Sequence, residues 1–204
     1  MSASPEPRLT PIPVEEWSDD AREALHTHMP RAAKQFLSGD PDAPRVPNVL
    51  AVMIHHPQLA GPWLTYNGVL LNTPTLDARL RELMILRVGW RTRSEYEWVQ
   101  HVRLGRGLGI TDDEIDTIAD NGTHAWAPLE ADLLDATNEL IDDYRVSDAT
   151  WTRLAAQLDE RQLVEMVFVV GAYMCLSMAF RSFGLELDPE LVDYPATAIP
   201  AAED

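Results

Sequence analysis

Residues 163–180 read LVEMVFVVGAYMCLSMAF, a run in which Glu165 is the one charged side chain. A stretch this long and this apolar either crosses a bilayer or lies at the centre of a packed helical protein. Glu165 lies inside it and Arg161 and Arg181 flank it, which argues against a span, since a carboxylate at mid-bilayer costs about 3 kcal/mol. We therefore read Asp159–Phe183 as the central helix, apolar on every side because subunits pack around it. Gly171, Ala172 and Ser177 would let other helices approach closely, and Cys175 is read as a small buried hydrophobe.

Such a helix needs others to cover it, and the rest of the chain supplies them. Ser18 caps a helix running to about Met29, and Asn48 caps a short one to about His55. Pro57 opens another, which stops near Asn72–Pro74. Thr75 is the expected cap of a helix from about Leu76 to Arg91, apolar at Leu76, Leu80, Leu83, Met84 and Val88. After the turn Thr92–Arg93, Ser94 opens the next helix, to Gly107–Gly109. Thr111 and Glu114 form a capping box for a helix through Ile115 and Ile118, ended by Asn121–Gly122. Ala127–Tyr144 is amphipathic with an acidic outer face, and Ser147 caps a helix through Trp151 and Leu154. Strand signals are absent, so the expectation is an all-α bundle of about eight helices with no β-sheet. A single helical domain is expected over residues 15–188. Residues 1–14, with four prolines, read as an extended arm, loose or laid over a neighbouring subunit, and residues 189–204 as an acidic tail.

Charge and sulfur narrow the function classes. With 33 acidic against 16 basic residues and a net charge of −17, the chain is not expected to bind nucleic acid. Cys175 stands alone, so neither a disulfide nor a Cys-x-x-Cys redox pair is available. No charged segment followed by an apolar run begins the chain, so no signal peptide is expected, and a cytoplasmic location without membrane contact follows. His26, His28, His55 and His56 tempt a metal reading, but adjacent or i,i+2 histidines diverge on a helix. No metal site and no cofactor are expected.

Chemistry concentrates in Arg79–Ile110, which holds seven of the fifteen arginines together with Glu82, Ser94, Glu97, Trp98 and His101. Ser94, Glu97, Trp98 and His101 are spaced i, i+3, i+4 and i+7 and so share one helical face. An i,i+4 carboxylate beside an imidazole can raise its pKa and orient its proton. Ser94-x-x-Glu97 is equally a capping box, in which both side chains only close the helix end. The arginines either pair with acidic helices or draw a small anion toward His101.

This stretch resembles the carboxymuconolactone decarboxylase and AhpD-like alkylhydroperoxidase superfamily. In the peroxidase branch a Glu on one helix precedes Cys-x-x-Cys-x-x-x-His on the next. On this chain the Glu falls on Glu82 and the His on His101, while the two cysteine positions fall on Ser94 and Glu97. The likeness is strongest over about Leu76–Ile118. It implies the superfamily's helical fold and a homo-oligomer, trimer or hexamer. For the thiol-free branch it implies a cofactor-free decarboxylation, or a related proton transfer, on a small carboxylated lactone or enolisable acid. His101 would be the acid/base, with Glu97 and Glu82 tuning it, and Ser94 and Trp98 would line the pocket. Two alternatives stand beside this: an alkylhydroperoxidase-like antioxidant, and a binding protein that kept the fold without the chemistry.

Overall fold

The computed structural model describes residues 7–40, 42–120 and 124–200. Ten α-helices run through them: α1 (Asp19–His28), α2 (Pro30–Phe36), α3 (Asn48–Met53), α4 (Pro57–Asn72), α5 (Ala78–Arg91), α6 (Glu95–Gly107), α7 (Asp112–Asp120), α8 (Pro128–Asp143), α9 (Asp148–Ala155) and α10 (Glu160–Phe183). Single 3-10 turns occur at Val14–Glu16 and Pro189–Leu191. The described residues contain no strand, in line with the sequence. α2 goes unrecognised in the sequence because its seven residues bury only Ala33, too few apolar positions to show a period. The expected stop at Asn121–Gly122, the first six residues of the arm and the last four of the tail lie outside the described residues.

The single domain expected over 15–188 groups into two compact units, residues 1–73 with 182–189 and residues 74–181 with 190–204. The first unit is built on α1–α4 around Trp17, Leu25, Ala33, Leu50, Ile54 and Leu64. Ser18 caps α1 as expected, accepting the Ala21 N–H at 3.2 Å. Asn48 does not cap α3: Pro47 precedes the helix, and the Asn48 amide donates to the Glu186 and Leu187 carbonyls at 3.0 and 3.1 Å. The described part of the arm lies on its own chain, not loose, because Arg8 and Leu9 donate to the Phe183 carbonyl and Ile12 to that of Ala51. His28 Nδ1 is 2.6 Å from Thr65 Oγ1 and His55 Nε2 is 2.9 Å from the Thr10 carbonyl.

In the second unit, α5 is buried from Arg81 to Gly89. Its cap is Asp77, which accepts the Arg79 N–H at 2.9 Å, and not Thr75. Thr75 is held otherwise: its N–H, its hydroxyl and the Leu76 N–H all donate to the Glu165 carboxylate, at 2.6, 2.5 and 3.2 Å. The charge that interrupts the apolar run of α10 thus secures the chain entering α5. By length and composition α10 could cross a membrane, and half of its most apolar window is buried in the chain. Its inner face carries Leu163, Met166, Val170, Tyr173, Ser177 and Phe180. Val164, Phe168, Gly171, Cys175 and Met178 form an exposed outer stripe. Cys175 is exposed within the single chain.

Acidic helices take up part of the arginine charge. Arg79 bridges Glu114 at 2.5 Å and Glu130 at 3.0 Å, tying α5 to α7 and α8. Arg91 pairs with Asp142 and Arg106 with Asp112. The tail is pinned across α6, where the Pro195 carbonyl accepts from Arg106 at 2.6 Å and the Thr197 carbonyl from the Trp98 indole at 2.7 Å.

Removing the Glu165 carboxylate strands three donors at the entry to α5. Glu165→Ala should lower the unfolding free energy by about 2–3 kcal/mol, measured by urea denaturation, whereas an Ala change at exposed Val192 should cost under about 0.5 kcal/mol.

Candidate active site

Two glycines set the distance between α5 and α6. A Cβ on Gly89 would sit 3.3 Å from the Trp98 backbone nitrogen, and one on Gly105 would sit 3.2 Å from Ile110 Cδ1 and 3.6 Å from Glu82 Cγ. Neither position leaves comfortable room for a methyl group, so the helices pack at close range and their facing side chains meet. The turn between them closes with Arg93 in the left-handed region, at φ 56°.

Across that contact Glu82 Oε1 hydrogen-bonds His101 Nδ1. Both groups are buried, with side chains 3% and 11% exposed. An Nδ1–H donated to a carboxylate fixes the imidazole tautomer and orientation. The proton-exchanging atom is then Nε2. Tyr173 of α10 stands edge-on to the imidazole, with centroids 4.9 Å apart and an interplanar angle of 87°. Burial pushes the Tyr173 phenol well above its ordinary range, and the charges of Glu82 and Glu97 push the same way. It remains a neutral hydroxyl at physiological pH.

Glu97 and Ser94 depart from the capping-box reading. Ser94 occupies the N-cap position but its hydroxyl makes no capping bond. The Glu97 carboxylate turns inward and accepts the Ser177 hydroxyl of α10, which lies 2.8 Å from Thr92 Oγ1. The box expected at Thr111 and Glu114 does form, with bonds of 3.3 and 2.8 Å. The same motif is thus a cap at one helix and an inward-facing acid at the other. Burial raises Glu97 to about 7, opposed by the Ser177 hydrogen bond, by the nearby His101 charge and by Ser94. Ser94 Oγ and Glu97 Oε1 are buried without a hydrogen-bond partner of regular geometry.

The structure brings Glu82, Ser94, Glu97 and His101 together, with Glu82 on the imidazole as expected of it and Glu97 bonded to Ser177 instead of to His101. The carboxylate on the imidazole is Glu82 from α5, and Glu97 at i−4 acts on it through space. Trp98 is 1% exposed, packs on Trp90 at 5.0 Å and spends its indole N–H on the tail, so it is a structural wall behind the site. In the sequence Tyr173 is not singled out, and Ser177 is taken only as a small residue that lets helices approach. Their one signal is the i,i+4 spacing of two polar groups inside an apolar run.

Residues 57–139 match the Carboxymuconolactone decarboxylase family. Among solved structures, an uncharacterized peroxidase-related protein from Silicibacter sp. TM1040 is similar at 15% identity and TM-score 0.72, covering 95% of this chain and 98% of that one. A second, an uncharacterized peroxidase-related protein with an alkylhydroperoxidase AhpD core from Ralstonia eutropha JMP134, shares 17% identity at TM-score 0.72 over 93% and 96%. The debrominase Bmp8, solved in complex with 2,3,4-tribromopyrrole, shares 10% identity at TM-score 0.66 over 89% and 91%. No curated protein matches the chain. The likeness to that family thus lies in residues 57–139, and the solved structures share the chain's all-helical fold.

Glu97 has a pH signature. Its carboxyl binds a proton up to about 7 in the folded chain but only to about 4.3 when unfolded. Between those values the folded state holds the extra proton, so stability falls as pH rises, and the loss is complete above about 7. Glu97→Gln should abolish that fall. Urea titrations at about pH 4.5 and about pH 8 should show the variant gaining roughly 2–3 kcal/mol on wild type at the higher pH.

Proposed function

We propose that the chain is an acid/base enzyme acting on a small anionic organic molecule, with a cofactor-free decarboxylation or related proton transfer as its reaction. One observation carries the reading: the buried Glu82 carboxylate on His101 Nδ1, which leaves Nε2 as a positioned proton donor or acceptor. In the decarboxylating direction the bond from an enolisable carbon to its carboxylate breaks and CO₂ departs. The electron pair stays on carbon, delocalised as an enolate. The Nε2 proton of a protonated His101 then moves to that carbon, and the neutral imidazole regains a proton from water. Glu82 keeps Nδ1–H throughout and stabilises the imidazolium before transfer. Glu97, half protonated near neutrality, supplies a neutral acid beside the imidazole. A departing carboxylate is easier to lose in a dry site, and Tyr173 with its neighbours provides one.

An antioxidant reading is favoured by the peroxidase-related proteins that share the fold. It asks for a nucleophilic thiolate and a resolving thiol. Here Ser94 and Glu97 stand at the two positions in question, and the exposed Cys175 is the sole sulfhydryl. We favour the acid/base reading on that ground. We further propose a homo-oligomer, trimer or hexamer, in which a second copy covers Val164, Gly171, Cys175 and Met178 on the outer stripe of α10.

Screening small carboxylated lactones and enolisable acids for CO₂ release, and for solvent deuterium at the protonated carbon, tests the reaction. On the substrate found, His101→Ala should lower kcat by about 10²–10⁴-fold, with Glu82→Gln impaired in the same direction. Wild-type rates from a folded His101→Ala would end the acid/base reading, and dithiol-dependent hydroperoxide consumption lost in Cys175→Ser would favour the antioxidant one. Light scattering should give a trimer or hexamer that Val164→Asp dissociates; a native, helical monomer of the wild type would remove the assembly.

A further inference from the structure

Sorting the arginines of the central segment isolates one of them. Arg79, Arg91 and Arg106 are in ion pairs. Arg87, buried, donates to the Ile118 carbonyl at 3.0 Å and leaves Nε alone unused, Arg93 is engaged, and Arg103, exposed, donates to Gln100 at 3.1 Å. Arg81 is different: it is 7% exposed, and its Nε and Nη1 have no hydrogen-bond partner. A guanidinium stays charged at any physiological pH. Buried with donors unused, it costs several kcal/mol, a large share of the stability of a domain. Nε lies on one two-pronged edge of the group and Nη1 on the other, so each edge keeps a donor that nothing in the chain uses.

Its place explains what those donors are for. Arg81 shares an α5 face with Thr92, about three turns on, and Thr92 Oγ1 is 2.8 Å from Ser177 of α10, so Arg81 lies on the side of α5 that meets α10. Tyr173, about one turn before Ser177 on that helix and edge-on to His101, is within reach of the Arg81 charge as well as those of Glu82 and Glu97. Six buried side-chain polar atoms among the described residues lack partners. Two of them are the Arg81 donors, on one side chain. Unpaired buried polar groups are rare enough that two on one charged group signal an occupant.

We propose that Arg81 is the anion anchor of the site, gripping a carboxylate of the substrate that the reaction leaves in place. The charge balance dictates the second half of that statement. A carboxylate held by a guanidinium loses its ion pair on becoming CO₂, so gripping the departing group would stabilise the ground state and slow the reaction. Arg81 therefore holds a spectator carboxylate, and the bond that changes lies on the His101 side. The proposal rests on the acid/base reading for which atoms react, and not for the binding itself.

The experiment titrates the full-length protein with acetate, benzoate and succinate, and with dimethyl succinate as the uncharged control, by calorimetry and by the His101 imidazole ¹⁵N shifts. At least one acid should bind and shift the imidazole signals, while the diester does not. Arg81→Met should weaken that acid by at least about tenfold, and Arg81→Lys by less, since it keeps the charge and loses the fork. Without ligand, Arg81→Met should melt at or above the wild-type temperature, because a buried unpaired charge has been removed. Equal acid affinity in Arg81→Met, or no binding by any acid, overturns the proposal. So does an Arg81→Met protein that melts lower and loses its assembly, which would make Arg81 an intersubunit ion-pair residue. Binding that depends on Arg81 but survives in His101→Ala, with no turnover anywhere, keeps this proposal and sinks the acid/base reading. Turnover lost in His101→Ala with KM unchanged in Arg81→Met does the reverse.

Discussion

The hydrogen bond from His101 Nδ1 to Glu82 joins the two most buried helices of the second unit at their polar point, and the rest of that unit is arranged to make it possible. α5 and α6 must approach within the reach of a short carboxylate, which Gly89 and Gly105 allow. α5 must also be held in register from its start, which Glu165 of α10 secures through Thr75 and Leu76. Arg79, clamped between Glu114 and Glu130, fixes its angle to α7 and α8. Each of these contacts is polar or steric and ordinary in strength. Together they remove the freedom of the imidazole to take its other tautomer.

The surroundings are costly in a patterned way. Glu97 is pushed to about 7 by burial, Ser94 is buried without capping its helix, and Arg81 holds a full charge with unused donors. A core selected for stability alone would replace such groups with apolar ones of similar volume. Grouped around one neutral tyrosine and one oriented histidine, they form instead a dry, charged and pre-ordered surrounding of the kind that proton transfer to carbon needs. The outer stripe of α10 poses a separate problem of exposed apolar surface, which a second copy of the chain would solve.

How far the sequence leads depends on how local the deciding contact is. Helix positions follow from apolar spacing and from caps such as Ser18, Ser147 and the Thr111–Glu114 pair, all set within a few residues. The Ser94–Glu97 pair obeys the same local rule and yet opens inward, because its real partner, Ser177, lies 80 residues away. By spacing, Glu97 was the natural companion of His101. Only the family resemblance brought in Glu82, since a contact between two helices leaves no period in either. Tyr173 and the polar role of Ser177 were hidden in an apolar run, and Arg81 among seven arginines, because burial and pairing are properties of the packed structure. Trp98, placed on the right face by spacing, turns out to spend its N–H on the tail.

The account stands on the state of one imidazole, and ¹⁵N–¹H correlation spectra of His101 between about pH 5 and about pH 9 report it directly. With Glu82 on Nδ1, the neutral imidazole should carry its proton on that nitrogen, and Glu82→Gln should mix the tautomers. A neutral His101 carrying its proton on Nε2 would contradict the central claim.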